Sequence, residues 1–223
     1  MPLDHVLNRC IDGYNIFPEN VDCDKLLVYY ASAVECICNP LMRAFCDALD
    51  MDYDAVKAAT LDDQKSIGFM RLNYYARAGE TMNIHEHTDA GLFTVLWAND
   101  IRGLEYEVDR KGGEGEPSFV RLDKLLDESL TLTVNVGDMF QVLTNGRVRA
   151  AKHRVICRPE FDLPRYSIAL FINPSPSSII TPVADPAKRL YKSIAWSEFR
   201  RRRFEGDEED QGQPEVQIAD YLL

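Results

Sequence analysis

The spacing of apolar residues changes near residue 68, and that change constrains the fold more than any other feature of the chain. Upstream, apolar positions recur every three or four residues, the period of a helix. Downstream they alternate, the period of a strand. Apolar, β-branched and aromatic clusters near 69–75, 82–87, 92–97, 102–108, 130–136, 139–144, 148–156 and 165–172 read as eight strands with turn signals between them. No helix is read between these strands. That excludes a parallel sheet wound through helices and predicts a sandwich or barrel, with a jelly roll as the natural eight-strand form. Gly137-Asp138 and Asn145-Gly146 are the clearest tight turns, and residues 111–117, KGGEGEP, read as a solvated loop.

The flanks are helical. Residues 1–22 read as loop, punctuated by Pro18 and Asn20. From Asp24, with Asp22 as N-cap, Leu26, Leu27, Tyr30, Val34 and Ile37 share one apolar face. At Asn39-Pro40 the helix either kinks or ends and restarts with Asn39 as cap. The pattern resumes through Leu41, Phe45 and Leu49, and a short helix follows around 52–59. Residues 189–204 return to a helical pattern, with Leu190, Ile194, Trp196 and Phe199 on one face. Arg200 to Arg203 then precede five acids between Glu205 and Asp210, a solvated helix end beside an acidic tail. The predicted organisation is an N-terminal helical region, 1–66, a jelly-roll core, 67–180, and a C-terminal helix with an acidic tail, 181–223, one structural domain overall.

The chain has 223 residues, with 25 Lys and Arg against 36 Asp and Glu, a net charge of −11. That sign argues against a nucleic-acid backbone or an anionic membrane as the main partner. Its apolar runs are shorter than the ~18 residues a membrane-spanning helix needs. MPLDHVLNRC has no basic region followed by an apolar stretch, so no secretory signal is expected. The 6 cysteines form no C-x-x-C pair, and they read as reduced thiols in a cytoplasmic protein.

Chemistry concentrates in three places. His87-Thr88-Asp89 is an H-x-D at a strand end, where alternation points the imidazole and carboxylate the same way. His153 lies in another predicted strand. Two imidazoles and one carboxylate placed facially form the ligand set of non-haem Fe(II), with positions left open for a chelating co-substrate and O2. An H-x-D with a distant histidine also arises among ordinary core histidines, so the neighbouring residues matter. Arg165 and Ser167 share a face at the start of the last strand. Arginine suits a carboxylate through two parallel charge-assisted hydrogen bonds, so beside a metal the pair reads as a clamp for the far carboxylate of a 2-oxo diacid. Asn73 and Tyr75 share a face in the first strand, where inward polar groups need partners that a bound co-substrate supplies.

The order Arg71–Tyr75 (RLNYY), His87–Thr94, Asn135–Arg147, Lys152–Val155 and Arg165–Ile168 closely resembles the isopenicillin N synthase-like group of Fe(II)/2-oxoglutarate-dependent dioxygenases over roughly residues 12–205. The resemblance implies a mainly β fold, a double-stranded β-helix with helices packed outside. It implies His87, Asp89 and His153 as iron ligands, Arg165 and Ser167 as the 2-oxoglutarate clamp, and Asn73 and Tyr75 as co-substrate contacts. Phe171 matches a position that often lines the substrate pocket. The implied reaction couples decarboxylation of 2-oxoglutarate by O2 to hydroxylation, desaturation or cyclisation of a small-molecule substrate. The alternatives are an oxidase on the same fold that does not use 2-oxoglutarate, which can keep Arg165 and Ser167 for another carboxylate, and a non-catalytic binding protein, against which the complete ligand set argues.

Two departures stand out. Relatives of this group carry a further segment before the long helix, whereas this chain begins almost at that helix, either as a short form or with a segment missing. That difference bears on the closure of the substrate pocket and on the oligomeric state. His85 replaces the usual small or apolar residue and would share the face of His87 in a regular strand. It reads as a partly exposed histidine, with a spare ligand, a partner of a ligand or a substrate contact as the alternatives.

Overall fold

The structure, a computed structural model, describes residues 22–61, 68–75, 81–99, 102–108, 118–124, 132–158, 164–204 and 216–223. The loop 1–21, the KGGEGEP loop and the acidic run after Phe204 lie outside the described residues. The chain divides into two compact units, Met1–Ser66 and Ile67–Leu223.

In the first unit, helix α1 (Cys23–Ala33) starts where the Asp22 carboxylate accepts a hydrogen bond from the Lys25 amide at 3.1 Å. At Asn39-Pro40 the helix does not end and restart. The helix runs on through a π-helical turn, Val34–Cys38, into α2 (Asn39–Ala48), and Asn39 itself has helical dihedrals. A proline ring inside an α-helix collides with the carbonyl four residues back, and the wider π turn relieves that collision. The extra residue of the turn also moves the buried stripe on by one. Cys38, Met42 and Cys46 are buried, where the unbroken 3.6 period predicts Leu41, Phe45 and Leu49. Helix α3 (Tyr53–Thr60) is capped by Asp52, which accepts from the Asp54 and Ala55 amides.

The second unit is built from eight main strands: β1 (Phe69–Tyr75), β2 (Thr81–His87), β3 (Phe93–Ala98), β4 (Leu104–Val108), β5 (Ser118–Arg121), β6 (Thr133–Val136), β7 (His153–Cys157) and β8 (Arg165–Ile172). They form two antiparallel four-stranded sheets, β1-β8-β3-β6 and β2-β7-β4-β5, which is the jelly roll expected. Tyr75, Leu104, Leu122 and Val155, with Ile84, Leu96 and Tyr106 around them, form a core drawn from both sheets.

Three expectations need correction. Residues 139–144 are not a strand but lie in a helix, α4 (Asp138–Leu143), whose Met139, Phe140, Val142 and Leu143 are all buried. A short run with Gln141 as the one polar residue among four apolar ones has no distinguishable period. The eighth strand is instead Ser118–Arg121, too short to show alternation. Residues 148–152 are irregular, and only His153–Cys157 pair as β7. Gly137-Asp138 is accordingly the entry to α4 and not a hairpin turn. Asn145 and Gly146 do adopt positive φ, 53° and 78°, but at the helix end, where the Gly146 amide donates to the Gln141 carbonyl at 2.8 Å.

The last segment adds a two-stranded ribbon, β9 (Ile179–Ile180) with β10 (Ile194–Ala195), and helix α5 (Trp196–Phe204). The predicted helix therefore begins later than residue 189. Trp196 and Phe199 are buried on it, Ile194 is buried in the ribbon, and Leu190 is exposed. Among the described residues no helix is long and apolar enough to cross a membrane.

Candidate metal centre

Strand pairing brings the site together. β2 and β7 are antiparallel neighbours, and His87 stands directly opposite His153. The imidazole centroids are 4.3 Å apart. Asp89 lies beyond the end of β2, so strand alternation does not place its carboxylate. The loop does so, because the Asp138 amide at the start of α4 donates to the Asp89 carbonyl at 2.7 Å. Gly137 makes that contact feasible: a Cβ there would sit 2.3 Å from the Gly91 oxygen and 2.9 Å from the Asp89 oxygen.

One oxygen of Asp89, Oδ1, lies 3.7 Å from Nε2 of His87 and 3.9 Å from Nε2 of His153. These distances exceed hydrogen bonds. They fit instead two donors on one ion, since ligands each about 2.0–2.2 Å from a metal lie no more than about 4.4 Å apart. Among the described residues, His87, Asp89 and His153 are the group of His, Cys, Asp or Glu side chains that can hold a metal ion, with ligand atoms mutually within 4.8 Å.

The second ring nitrogens fix the tautomers. Nδ1 of His87 lies 2.8 Å from the His85 carbonyl, and Nδ1 of His153 lies 2.9 Å from the Ala151 carbonyl. A carbonyl only accepts, so each Nδ1 carries the proton and each Nε2 presents its lone pair to the centre. Burial and the neighbouring His87 hold the His153 imidazole below its ordinary range, against the pull of Asp89. The neutral imidazole is the form that binds a metal.

His85 does not join the group. The β2–β7 register shifts between Ile84 and His87, so the strand is not regular there and alternation does not put the two side chains on one face by itself. Its side chain is exposed, as expected, and its contribution is the carbonyl that orients His87.

On the first sheet, β1 pairs with β8 so that Asn73 faces Ser167 and Tyr75 faces Arg165. Residues 94 positions apart thus become neighbours on the inner face: Asn73 Nδ2 donates to Ser167 Oγ at 3.2 Å. The Arg165 guanidinium lies 5.0 Å from the Tyr75 ring centre. Arg165 and Ser167 are 3% and 2% exposed. Two residues further along each strand, beyond Arg71 and Ala169, Phe69 stacks on Phe171 with centroids 4.5 Å apart.

The sequence assigns no site role to two further residues, although Asn135 opens the Asn135–Arg147 motif. Asn135 of β6 donates through Nδ2 to Asp89 Oδ2 at 3.5 Å, and Tyr106 of β4 donates to Asn135 Oδ1 at 2.5 Å. Only cross-strand register, β4 against β7 and β3 against β6, reveals them. Burial and the Asp89 carboxylate push the Tyr106 phenol well above its usual range, so it stays a proton donor. Asp89, Thr94, Asn135, His153, Arg165 and Ser167 are all buried. Buried polar groups at this density need partners.

Comparison with known proteins agrees with this geometry. The sequence signature of the 2OG-Fe(II) oxygenase superfamily matches residues 66–174. Gibberellin 3-beta-dioxygenase 1 of Pisum sativum is 30% identical over 207 residues, covering 89% of this chain and 51% of that protein. The bi-functional coumaroyl CoA and feruloyl CoA ortho-hydroxylase Diox4 of Ruta graveolens is 31% identical over 139 residues, 59% of this chain and 36% of that one. The chain thus spans about half, or less, of the length of these relatives. Among solved structures, JOX2 in complex with 2OG, Fe and JA superposes with a TM-score of 0.71 at 21% identity, covering 94% of this chain and 59% of that one. The dioxygenase for auxin oxidation in rice gives 0.66 at 23% identity, covering 92% and 66%. With its jelly roll, its two-histidine, one-carboxylate group and the match across its core, residues 66–174 of the chain belong to the 2OG-Fe(II) oxygenase superfamily.

Proposed function

We propose that the protein is a non-haem Fe(II) oxygenase that couples oxidative decarboxylation of 2-oxoglutarate to the oxidation of a small-molecule substrate. The observation that carries this reading is the convergence of two imidazole Nε2 atoms and one carboxylate within 4.8 Å, with both Nδ1 atoms committed to backbone carbonyls. The donor set fits the metal: two neutral nitrogens and one anion leave residual positive charge and open positions.

His87, Asp89 and His153 would hold Fe(II), which when bound supplies the activation of O2 and of the 2-oxo acid. Arg165 would pair with the far carboxylate of 2-oxoglutarate, with Ser167 and Asn73 as hydrogen-bonding partners and Tyr75 beneath the guanidinium. Sequestering Arg165 from water strengthens that pairing and fixes the co-substrate in one orientation. Phe171, stacked on Phe69, would line the substrate side. That the substrate is a small molecule is supported by the names of the relatives, which concern gibberellins and CoA esters. Hydroxylation, desaturation and cyclisation all fit this arrangement. A cytoplasmic setting belongs to the same proposal and is supported by the free thiols Cys36, Cys38 and Cys46.

Anaerobic titration of the protein with Fe(II) and 2-oxoglutarate tests the reading. A visible charge-transfer band that is lost in Arg165→Ala is the expected result. Metal binding without a band overturns the role of 2-oxoglutarate.

A further inference from the structure

The metal carboxylate is anchored by a chain of side chains that starts outside the ligand set. Asp89 offers Oδ1 to the two imidazoles. Its other oxygen, Oδ2, faces the Asn135 amide nitrogen at 3.5 Å. A primary amide can turn over, and the reversed amide would set Oδ1 of Asn135 against the carboxylate, oxygen against oxygen. What holds the favourable orientation is the phenol of Tyr106, which donates to Asn135 Oδ1. The Tyr106 ring also packs against His153 with centroids 5.7 Å apart. Tyr106 and His153 are register partners across β4 and β7, so one aromatic residue touches one ligand and steers another.

We infer that Tyr106 is a positioning residue for the metal centre, acting through Asn135 to fix which oxygen of Asp89 faces the metal. The chain Tyr106–Asn135–Asp89 performs the task that a carboxylate or carbonyl performs for a ligating histidine: it sets the orientation of a ligand before the metal arrives. Asn135 is 4% exposed, so water does not readily replace either bond. The inference rests on the reading of His87, Asp89 and His153 as the metal ligands.

Metal binding can be measured with Mn(II), by the electron paramagnetic resonance of the free ion, and with Co(II), by its visible ligand-field bands. Tyr106→Phe keeps the ring on His153 and removes the donor. Its Mn(II) affinity is expected to fall about tenfold, the lower end for partners of metal ligands, with a shifted Co(II) spectrum and an unchanged far-ultraviolet circular dichroism. Asn135→Ala is expected to lose at least as much. Because Tyr106 acts through Asn135, adding Tyr106→Phe to Asn135→Ala should cost less than a further twofold. Mn(II) affinity within twofold of wild type in either single variant overturns the inference, as do two losses that multiply in the double variant. A merely structural tyrosine would lower stability without moving the Co(II) bands. If the wild-type protein binds neither ion, or His87→Ala binds Mn(II) as well as wild type, the ligand assignment itself fails and the inference with it.

Discussion

Arg203 of the last helix reaches the peptide between His87 and Asp89, two of the proposed metal ligands: its Nη2 donates to the backbone oxygen and to Oγ1 of Thr88, at 3.3 and 3.4 Å. The same guanidinium donates through Nη1 to the Val216 carbonyl and to Gln217 Oε1, and it stands 3.8 Å from the Asp138 carboxylate. Arg203 is 7% exposed and Asp138 is fully buried. One cation thus ties the His87–Asp89 loop, the start of α4 and the C-terminal segment together. Arg203→Ala removes the cation facing a buried carboxylate and is expected to cost roughly 3–5 kcal/mol, read from the urea midpoint at unchanged slope. Arg203→Lys should recover only part of this, because an ammonium lacks the planar fork that spans Thr88 and Val216. A midpoint for Arg203→Ala matching wild type would show that the loop is held by other means.

Removal of either ligand side chain tests the centre directly. His87→Ala and Asp89→Ala each leave two donors of three, and neither variant should retain stoichiometric Fe(II) after gel filtration. Metal analysis of the purified variants reads this without any substrate. Wild-type iron content in both would remove these residues from the ligand set.

The strands are legible in the sequence because their side chains alternate, and β1, β3 and β8 lie where the alternation predicts. The proposed ligand group is legible because the chain has only 4 histidines and because the H-x-D of His87 and Asp89 stands in one order with His153, Arg165 and Ser167. Residues 139–144 mislead because Met139, Phe140, Val142 and Leu143 are buried all round, and a helix with no solvated face has no stripe. Asn39-Pro40 misleads because a π turn leaves no mark in the sequence beyond the proline it accommodates. The roles of Tyr106, Asn135 and Arg203 are absent from the linear sequence for another reason. Each acts across strands or from the far end of the chain, and only the folded register makes Tyr106 a neighbour of both Asn135 and His153.

The co-substrate clamp predicts a selective loss. Arg165→Ala should weaken 2-oxoglutarate binding by about 2–5 kcal/mol, the cost of truncating one partner of a buried charge pair. Mn(II) affinity without co-substrate should stay near wild type, since Arg165 is not a ligand. Calorimetric titration of 2-oxoglutarate into the Mn(II)-loaded protein separates the two. An unchanged dissociation constant would place the clamp elsewhere.

Gly137 predicts a backbone effect on the same centre. An added Cβ would meet the Gly91 oxygen at 2.3 Å and the Asp89 oxygen at 2.9 Å. Both are main-chain atoms that cannot rotate away, so Gly137→Ala must push the Asp89 loop from α4. The expected cost is about 1–3 kcal/mol, as for other insertions into a packed interior, together with weakened Mn(II) binding. Thermal melts with and without Mn(II) check it: the metal should raise the melting temperature of the variant less than that of wild type. An equal rise in both proteins would show that the loop absorbs the methyl without moving Asp89.

The thiols of the helical unit predict a contrast in reactivity. Cys36 is exposed, whereas Cys38, two residues on, is 2% exposed. Burial pushes the Cys38 thiol up to about 12, and burial also raises Cys46. Only the thiolate is nucleophilic, so at pH 8 Cys38 is almost wholly protonated as well as shielded. Iodoacetamide at pH 8 should therefore modify Cys36 within minutes and leave Cys38 and Cys46 unmodified in the folded protein, as peptide mapping by mass spectrometry would show. In urea, where the thiol returns to its ordinary range, all three should react alike. Labelling of Cys38 at the rate of Cys36 under native conditions would mean that the π turn opens readily, and that the buried stripe beginning there is not held closed.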